Sequence, residues 1–317
     1  MSFNMISRRK LLRNSLAGFV ACSAPRLALS TQSDATLTVA GGKLALADSE
    51  IIVLSDGHLQ LPASFVLPES ISDAERDAFL SKHGIVPPFN PPLNITLWQS
   101  DDKLVLFDTG SGAHFMPSAG QLLQDFEKFG IDPYDVTDVI FTHAHPDHLW
   151  GLLDDFDDLA FPDANYYMNA KEWNYWRDGN TLSNTPEARQ SFVVGAQNRL
   201  SVLEDRINLF NYGDEVLPGI EAVDSSGHTP GHTSFSIRRE NESVMIIGDA
   251  LTHPIISFEK AAWPSGSDQD KEQGRKTRLA LLDRMAADNT MILGYHLPYP
   301  GLGRVERDNS AYRFVAA

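Results

Sequence analysis

The run Thr142-His143-Ala144-His145-Pro146-Asp147-His148 places four ligand-type side chains within six residues, directly after the apolar stretch Val139-Ile140-Phe141. Such a cluster at a strand end is poorly suited to packing and well suited to holding metal. In extended backbone, residues two apart project to the same side, so His143 and His145 can grip one ion. Asp147 and His148 fall where the chain must turn, displaced enough to reach a second. Three further candidates follow the same kind of apolar element: His228 after Ile220 to Asp224, Asp249 after Val244 to Gly248, and His296 after Met291 to Tyr295. Ligands from separate strand ends can converge at one edge of a sheet, where α/β proteins place their sites. Seven groups are too many for one tetrahedral ion. If Asp249 bridges, each of two ions receives four contacts, with room left for a shared water or hydroxide. The spacing therefore asks for a dinuclear hydrolase. Two divalent ions would lower the pKa of the shared water and supply a hydroxide nucleophile. One ion would polarise a C=O or P=O oxygen, and the leaving oxygen would be stabilised by the other or protonated through Asp147. No Gly-x-Ser-x-Gly nucleophile motif is present.

Around this set stand residues with two readings each. Asp56 and Asp108, each just ahead of a glycine-containing turn, either orient ligand imidazoles by accepting their second ring proton or cap the turns. His232, after a Pro-Gly turn, reads as a supporting residue behind the ligands, because the ligand set is complete without it. His253 is close to Asp249 and either reaches substrate or is an ordinary polar loop residue. Trp173, Trp176, Tyr166, Tyr167 and Tyr175 either line an apolar pocket or pack a helix on the sheet, packing being the default.

The elements that must position these groups are legible as short β-branched or aromatic runs, among them Ile51 to Leu54, Ile95 to Trp98, Leu104 to Phe107, Val139 to Thr142, Ile207 to Phe210, Val244 to Ile247 and Met291 to Leu293. Helical spacing separates them at Gln121 to Phe129, Ala170 to Arg177, Pro186 to Leu203 and Gln269 to Ala287. Strands and helices alternate without a low-complexity linker or a repeat, so one catalytic domain of mixed α and β structure is expected over residues 31–317. Residues 59–93 interrupt the pattern with six prolines around a short helical piece, Asp73 to Lys82, and read as a loop excursion over one face.

Residues 1–30 carry five basic side chains, no acidic one, an apolar run from Leu16 to Ala21 and a small-residue end, the layout of a signal peptide. Ser7-Arg8-Arg9-Lys10-Leu11-Leu12 resembles the twin-arginine export signal. The apolar run is far below the roughly 20 residues needed to span a bilayer. A mature chain from about residue 31, periplasmic or secreted, is the expectation. The only cysteine, Cys22, lies in this leader, so any metal in the mature domain must be held by His and carboxylate. The net charge of -16 argues against a nucleic-acid partner, which needs a basic face. A small-molecule substrate is expected instead.

The His-x-His-x-Asp-His run with the later His228, Asp249 and His296 resembles the metallo-β-lactamase superfamily. The resemblance covers roughly residues 36–317. It implies an α+β fold, an αββα sandwich of two mixed sheets with the metals at their edge. Carried to the matching positions, one ion would take His143, His145, His228 and Asp249, and the other Asp147, His148, His296 and Asp249, the ions being zinc. The bridging Asp249 is unlike true β-lactamases, and His145 is not the Glu that redox di-iron members use there. This favours a hydrolase of ester, lactone or phosphotriester bonds over a non-hydrolytic redox or metal-binding member. A glyoxalase II-like thioesterase fits less well, because its glutathione-binding helical domain is not evident. Leu54-Ser55-Asp56-Gly57, Asp108-Thr109-Gly110, Gly227-His228-Thr229-Pro230-Gly231-His232 and Tyr312-Arg313-Phe314-Val315 are similar to the methyl parathion hydrolase branch, which is itself similar to acyl homoserine lactonases. That resemblance implies an aromatic wall for the leaving group at Phe115, Trp176 and Phe192, and a homodimer. The segment Asp249-Ala250-Leu251-Thr252-His253-Pro254 is more polar than in that branch.

Overall fold

Strand Ser49–His58 shows how the layers form. Ile51, Ile52, Val53 and Leu54 are all buried. Ile51 and Val53 face a core between two sheets, while Ile52 and Leu54 face a second core beneath helices. The same division recurs in Glu242–Ile246 and beyond, with Val244 and Ile246 between the sheets and Met245 and Ile247 on the far side. A strand covered on both faces loses the alternation of polar and apolar residues and reads as a continuous apolar run. The computed structural model describes residues 39–100 and 102–317. The leader over residues 1–30 lies outside the described residues.

The first sheet has eight strands in chain order: Val39–Ala40, Lys43–Leu46, Ser49–His58, Pro92–Ser100, Lys103–Phe107, Asp138–Ile140, Asn165–Asn169 and Ile207–Phe210. Pairing is antiparallel up to Lys103–Phe107 and parallel from there on. The second sheet has seven strands, ordered Ala311–Ala316, Leu302–Asp308, Met291–Leu293, Glu242–Ile246, Thr233–Arg239, Ile220–Asp224 and Glu215–Leu217, with one parallel pair, Glu242–Ile246 beside Met291–Leu293. Helices Leu122–Phe129, Ala170–Arg177 and Gln190–Val202 cover the outer face of the first sheet, and Lys271–Asp288 covers that of the second. This is the expected αββα sandwich of two mixed sheets.

Two differences from the sequence expectation, and one expectation met, matter for the site. The strand expected at Val139 to Thr142 ends at Ile140, so Phe141 and Thr142 already belong to the loop that carries the histidines. The tail forms a hairpin, Leu302–Asp308 with Ala311–Ala316, whose charged residues Arg304, Glu306, Arg307 and Arg313 obscured the pattern. The proline-rich excursion holds the expected helix, Asp73–His83, started by Ser72 Oγ accepting from Glu75 N. Its Val66, Leu67, Phe79, Leu80 and Phe89 pack with Ile256 into a small core of their own. No helix among the described residues is long and apolar enough to cross a membrane.

Candidate metal centre

All seven predicted ligands sit just past strand ends at one rim of the sandwich, and the structure brings them together. The first sheet supplies His143 to His148 after Asp138–Ile140. The second supplies His228 after Ile220–Asp224, Asp249 after Glu242–Ile246 and His296 after Met291–Leu293. Backbone bonds join the sheets here: Thr233 N donates to Thr142 O at 2.9 Å, and Asn94 N to Tyr295 O at 2.9 Å. The ligand loop is not an extended continuation of its strand. His145 precedes a single helical turn, Pro146–Leu149, whose proline suits the first helical position; the ligand atoms of Asp147 and His148 join a separate group, although the His148 ring stays 4.0 Å from that of His143.

The ligand atoms form two groups, His143, His145 and His228 in one, Asp147, His148, Asp249 and His296 in the other. In the first, His143 Nε2 lies 3.0 Å from His145 Nδ1, which lies 2.9 Å from His228 Nε2. In the second, His296 Nε2 lies 3.3 Å from Asp147 Oδ2 and 3.2 Å from Asp249 Oδ2, and His148 Nε2 lies 3.2 Å from Asp249 Oδ1. Asp249 Oδ2 is also 3.2 Å from His228 Nε2, so this carboxylate reaches both groups. Asp147 Oδ2, His148 Nε2 and Asp249 Oδ1 are buried and have no hydrogen-bond partner. Buried groups of this kind are normally satisfied, and cations fit these donors where protein groups do not.

The electrostatics agree. Burial and the neighbouring imidazoles hold His143 and His145 well below the usual imidazole range. For His148, His228 and His296 burial also opposes charge, but it is outweighed by Asp249 and the nearby carboxylates. His148 is pushed well up, His228 to about 9 and His296 to about 10. Asp249 is held well below the usual carboxylate range, its burial outweighed by His296, His148 and His228. The part of the cluster around Asp249 thus favours positive charge, while His143 and His145 stay neutral, the form that ligates.

Three of the imidazoles, His148, His228 and His296, are aimed from behind. Asp108 Oδ2 accepts from His148 Nδ1 at 2.7 Å, and the same carboxylate takes Thr142 N and Thr142 Oγ1, each at 2.7 Å. Asp108 holds this position in the left-handed conformation, φ 64°, uncommon for a residue with a side chain. Asp268 Oδ1 lies 3.3 Å from His228 Nδ1, and Pro92 O accepts from His296 Nδ1 at 3.0 Å. Tyr295 stacks on His148 at 3.8 Å and donates its hydroxyl to Asp147 O at 2.5 Å. His232 is not a ligand: its Nε2 accepts the backbone N–H of Asp249 at 2.9 Å, while its Nδ1 faces Ser225 Oγ and O. The fit is tight, because a Cβ at Gly248 would lie 2.7 Å from His232 Nε2.

Two expectations are corrected. Asp56 touches no imidazole; its carboxylate accepts Ser111 N at 2.8 Å and Leu122 N at 2.9 Å, closing the turn and starting a helix. Trp176 does not line the cavity. It is buried behind His145, ring centroids 5.7 Å apart, and donates Nε1 to Glu172 Oε1 at 2.6 Å. Trp173, Tyr166, Tyr167 and Tyr175 likewise pack rather than line it.

Sequence reasoning missed Asp268, which backs His228, and Glu172. Glu172 is fully buried on Ala170–Arg177 and accepts four bonds: Ala144 N at 2.9 Å, Trp176 Nε1 at 2.6 Å, Thr229 Oγ1 at 2.7 Å and Gly231 N at 2.9 Å. Ala144 lies between His143 and His145, and Thr229 follows His228. One carboxylate thus ties together the loops that carry all three ligands of the imidazole group.

Five of the seven ligands, His145, Asp147, His228, Asp249 and His296, open onto a cavity of about 530 Å³. Its walls include Leu59, Leu61, Phe65 and Phe89 from the excursion, and Phe115 and Phe192, which meet edge to face with centroids 6.2 Å apart. The arrangement is a charged, metal-suited cluster opening into an apolar chamber, the usual shape of a small-molecule site.

A chain with this fold and this ligand set matches the family model of the metallo-beta-lactamase superfamily over residues 91–295, and it belongs to that superfamily. Among curated proteins it is 26% identical over 151 residues to the N-acyl homoserine lactonase AttM of Agrobacterium fabrum, covering 45% of this chain and 51% of that one. The match thus spans about half the length of that relative. Among solved structures it superposes with a TM-score of 0.80 on AidC, a dizinc quorum-quenching lactonase in complex with a product, at 26% identity, covering 87% of this chain and 96% of that one. It also superposes with a TM-score of 0.80 on the hydrolase AbOPH, at 25% identity, covering 88% and 98%.

Proposed function

We propose that the protein is a metal-dependent hydrolase that opens lactones, acyl homoserine lactones among them. The observation that carries this is the position of Asp249: it reaches both ligand groups and lies on the wall of an apolar cavity that can take a ring and an acyl tail. The similarity to AttM and AidC supports the same substrate class. His143, His145, His228 and Asp249 would hold one cation, and Asp147, His148, His296 and Asp249 the other, with zinc favoured by the imidazole-rich donor set. Two such cations supply Lewis acidity and bring the pKa of water towards neutrality. The protein's own groups do the rest. The apolar walls exclude bulk water and hold the acyl chain. Asp108, Asp268 and the carbonyl of Pro92 fix the imidazoles, so that little reorganisation accompanies reaction. Asp147, lining the cavity beside His296, is placed to pass a proton to the leaving alkoxide.

The test is turnover of an N-acyl homoserine lactone beside a methyl phosphotriester by the zinc-loaded protein at equal concentrations. Faster lactone opening, lost on chelation and regained with zinc, is the expected result. A second reading, phosphotriester cleavage, draws on the Phe115 and Phe192 pair at the cavity wall, and preference for the phosphotriester would establish it. Turnover of neither would overturn both. We further infer from the Arg8-Arg9 leader that the domain acts outside the cytoplasm, which fractionation of cells producing the full chain would test.

A further inference from the structure

His253 belongs to the segment that runs on from Asp249, and its ring lines the same cavity. Its Nδ1 accepts two backbone N–H groups, Ile255 N and Ile256 N, each at 3.1 Å. A nitrogen that accepts two donors carries no proton, so the neutral ring must carry its proton on Nε2. Burial, with His83 nearby, brings its pKa down to about 4, which keeps the ring neutral in ordinary buffers. The ring is held firmly. Ser257 Oγ accepts both Thr252 N and His253 N at 3.1 Å, and Phe89 meets the imidazole edge to face at 5.4 Å. Among the described residues the Nε2–H finds no acceptor. The permanent cation on the same wall, Arg189, is by contrast engaged by Gly266 O at 2.7 Å and lies over the Phe65 ring.

We propose that His253 is a specificity-determining residue whose Nε2–H donates to an uncharged carbonyl that the substrate carries next to its reacting ester, as in a lactone bearing an α-amide. This rests on the lactonase reading above. An amide attached beside the ester carbonyl must enter the cavity near Asp249, where the walls are mostly apolar with a few polar side chains such as Asn90 and Thr252, and its oxygen there needs a donor. Burying an unpaired acceptor is unfavourable, and a pre-aimed neutral donor removes that penalty without the desolvation of a charge. A substrate lacking the amide gains nothing from it.

The experiment measures kcat and KM for two lactones of equal chain length, an N-acyl homoserine lactone and a γ-alkyl lactone without the amide, with the unaltered protein, His253→Phe and His253→Asn. The expected result for His253→Phe is a loss of roughly tenfold in kcat/KM for the amide-bearing lactone, the scale of one hydrogen bond, chiefly through KM. The γ-alkyl lactone should change less than about twofold by the same principle. His253→Asn, which retains an acceptor for the backbone and an N–H donor, should recover part of the loss. An equal loss on both lactones would mean that His253 only braces the loop, and no loss on either would mean that its donor meets no substrate; both results overturn the inference while leaving the lactonase reading intact. If the unaltered protein opens neither lactone, the functional reading itself fails.

Discussion

His148 and His228 are each oriented by a carboxylate, but the carboxylates are not equivalent. Asp108 is buried with Thr142 and His148 as its partners, so its charge is directed at one imidazole. Asp268 divides its charge: Oδ1 faces His228 at 3.3 Å, while Oδ2 receives Arg278 Nη2 at 3.2 Å, an arginine that also donates to Ala261 O and Trp263 O. The ligand groups differ in the same direction. The His148 group contains Asp147 as well as the shared Asp249, whereas the His228 group is all imidazole apart from that shared carboxylate. The two ligand groups are thus built with unequal negative charge, and the Asp147 group is expected to hold a cation more tightly.

The largest effect should come from removing what the two halves share. Asp249→Ala is expected to lose at least one metal equivalent and more than about 100-fold in kcat/KM, beyond the range typical of residues behind the ligands. A variant that kept two equivalents and full turnover, by elemental analysis and kinetics, would break the bridging assignment. Chelator competition on the unaltered protein should next release metal in two steps, the second from the Asp147 side; a single step would erase the asymmetry. The comparison sharpens with Asp108→Asn against Asp268→Asn. The first should weaken its cation by about 10- to 100-fold. The second should cost only a few-fold, because the Asp268 charge is already shared with Arg278. Reversal of that order in a metal-binding titration would show that the arginine does not matter. Glu172→Gln should loosen the imidazole group first and lower stability by about 1–3 kcal/mol, since an amide cannot accept four donors. Denaturant melts read beside metal content would separate the two effects. Smallest of all, Asp56→Asn should leave both metal affinities unchanged and cost about 1 kcal/mol in unfolding free energy, because it serves a turn and a helix start and no ligand.

That last contrast also shows what the sequence could and could not convey. Asp56 and Asp108 look alike on paper, each ahead of a glycine turn, and only the fold decides that one faces Ser111 and Leu122 and the other His148. Most of the ligands were legible because strands buried on both faces announce themselves as apolar runs and those ligands follow one closely, whereas His228 follows Ile220–Asp224, a strand that alternates. Glu172 was hidden by a more ordinary signal. Asn169 caps its helix, accepting from Lys171 N, and a Glu three residues after such a cap reads as part of the helix start. Asp268 was hidden because it lies in an irregular segment with no period to interrupt. Trp176 was placed on the right helix but on the wrong side of His145, a distinction that depends on helix rotation and not on spacing.

The origin of the ligands in two different sheets has a consequence for how the chain matures. His143 to His148 belong to the first half of the polypeptide, and His228, Asp249 and His296 to the second, so no fragment ending before Asp249 can complete either site, and none ending before His296 can complete the Asp147 side. Bound cations would then act as a clasp across the sandwich, present only when both sheets have closed. Free energy of cation binding becomes free energy of folding, growing with the logarithm of cation concentration above the dissociation constant. A chain that completes its fold in a metal-poor compartment would be held by its hydrophobic layers alone, and would be most open to proteolysis at the rim where its chemistry is meant to occur.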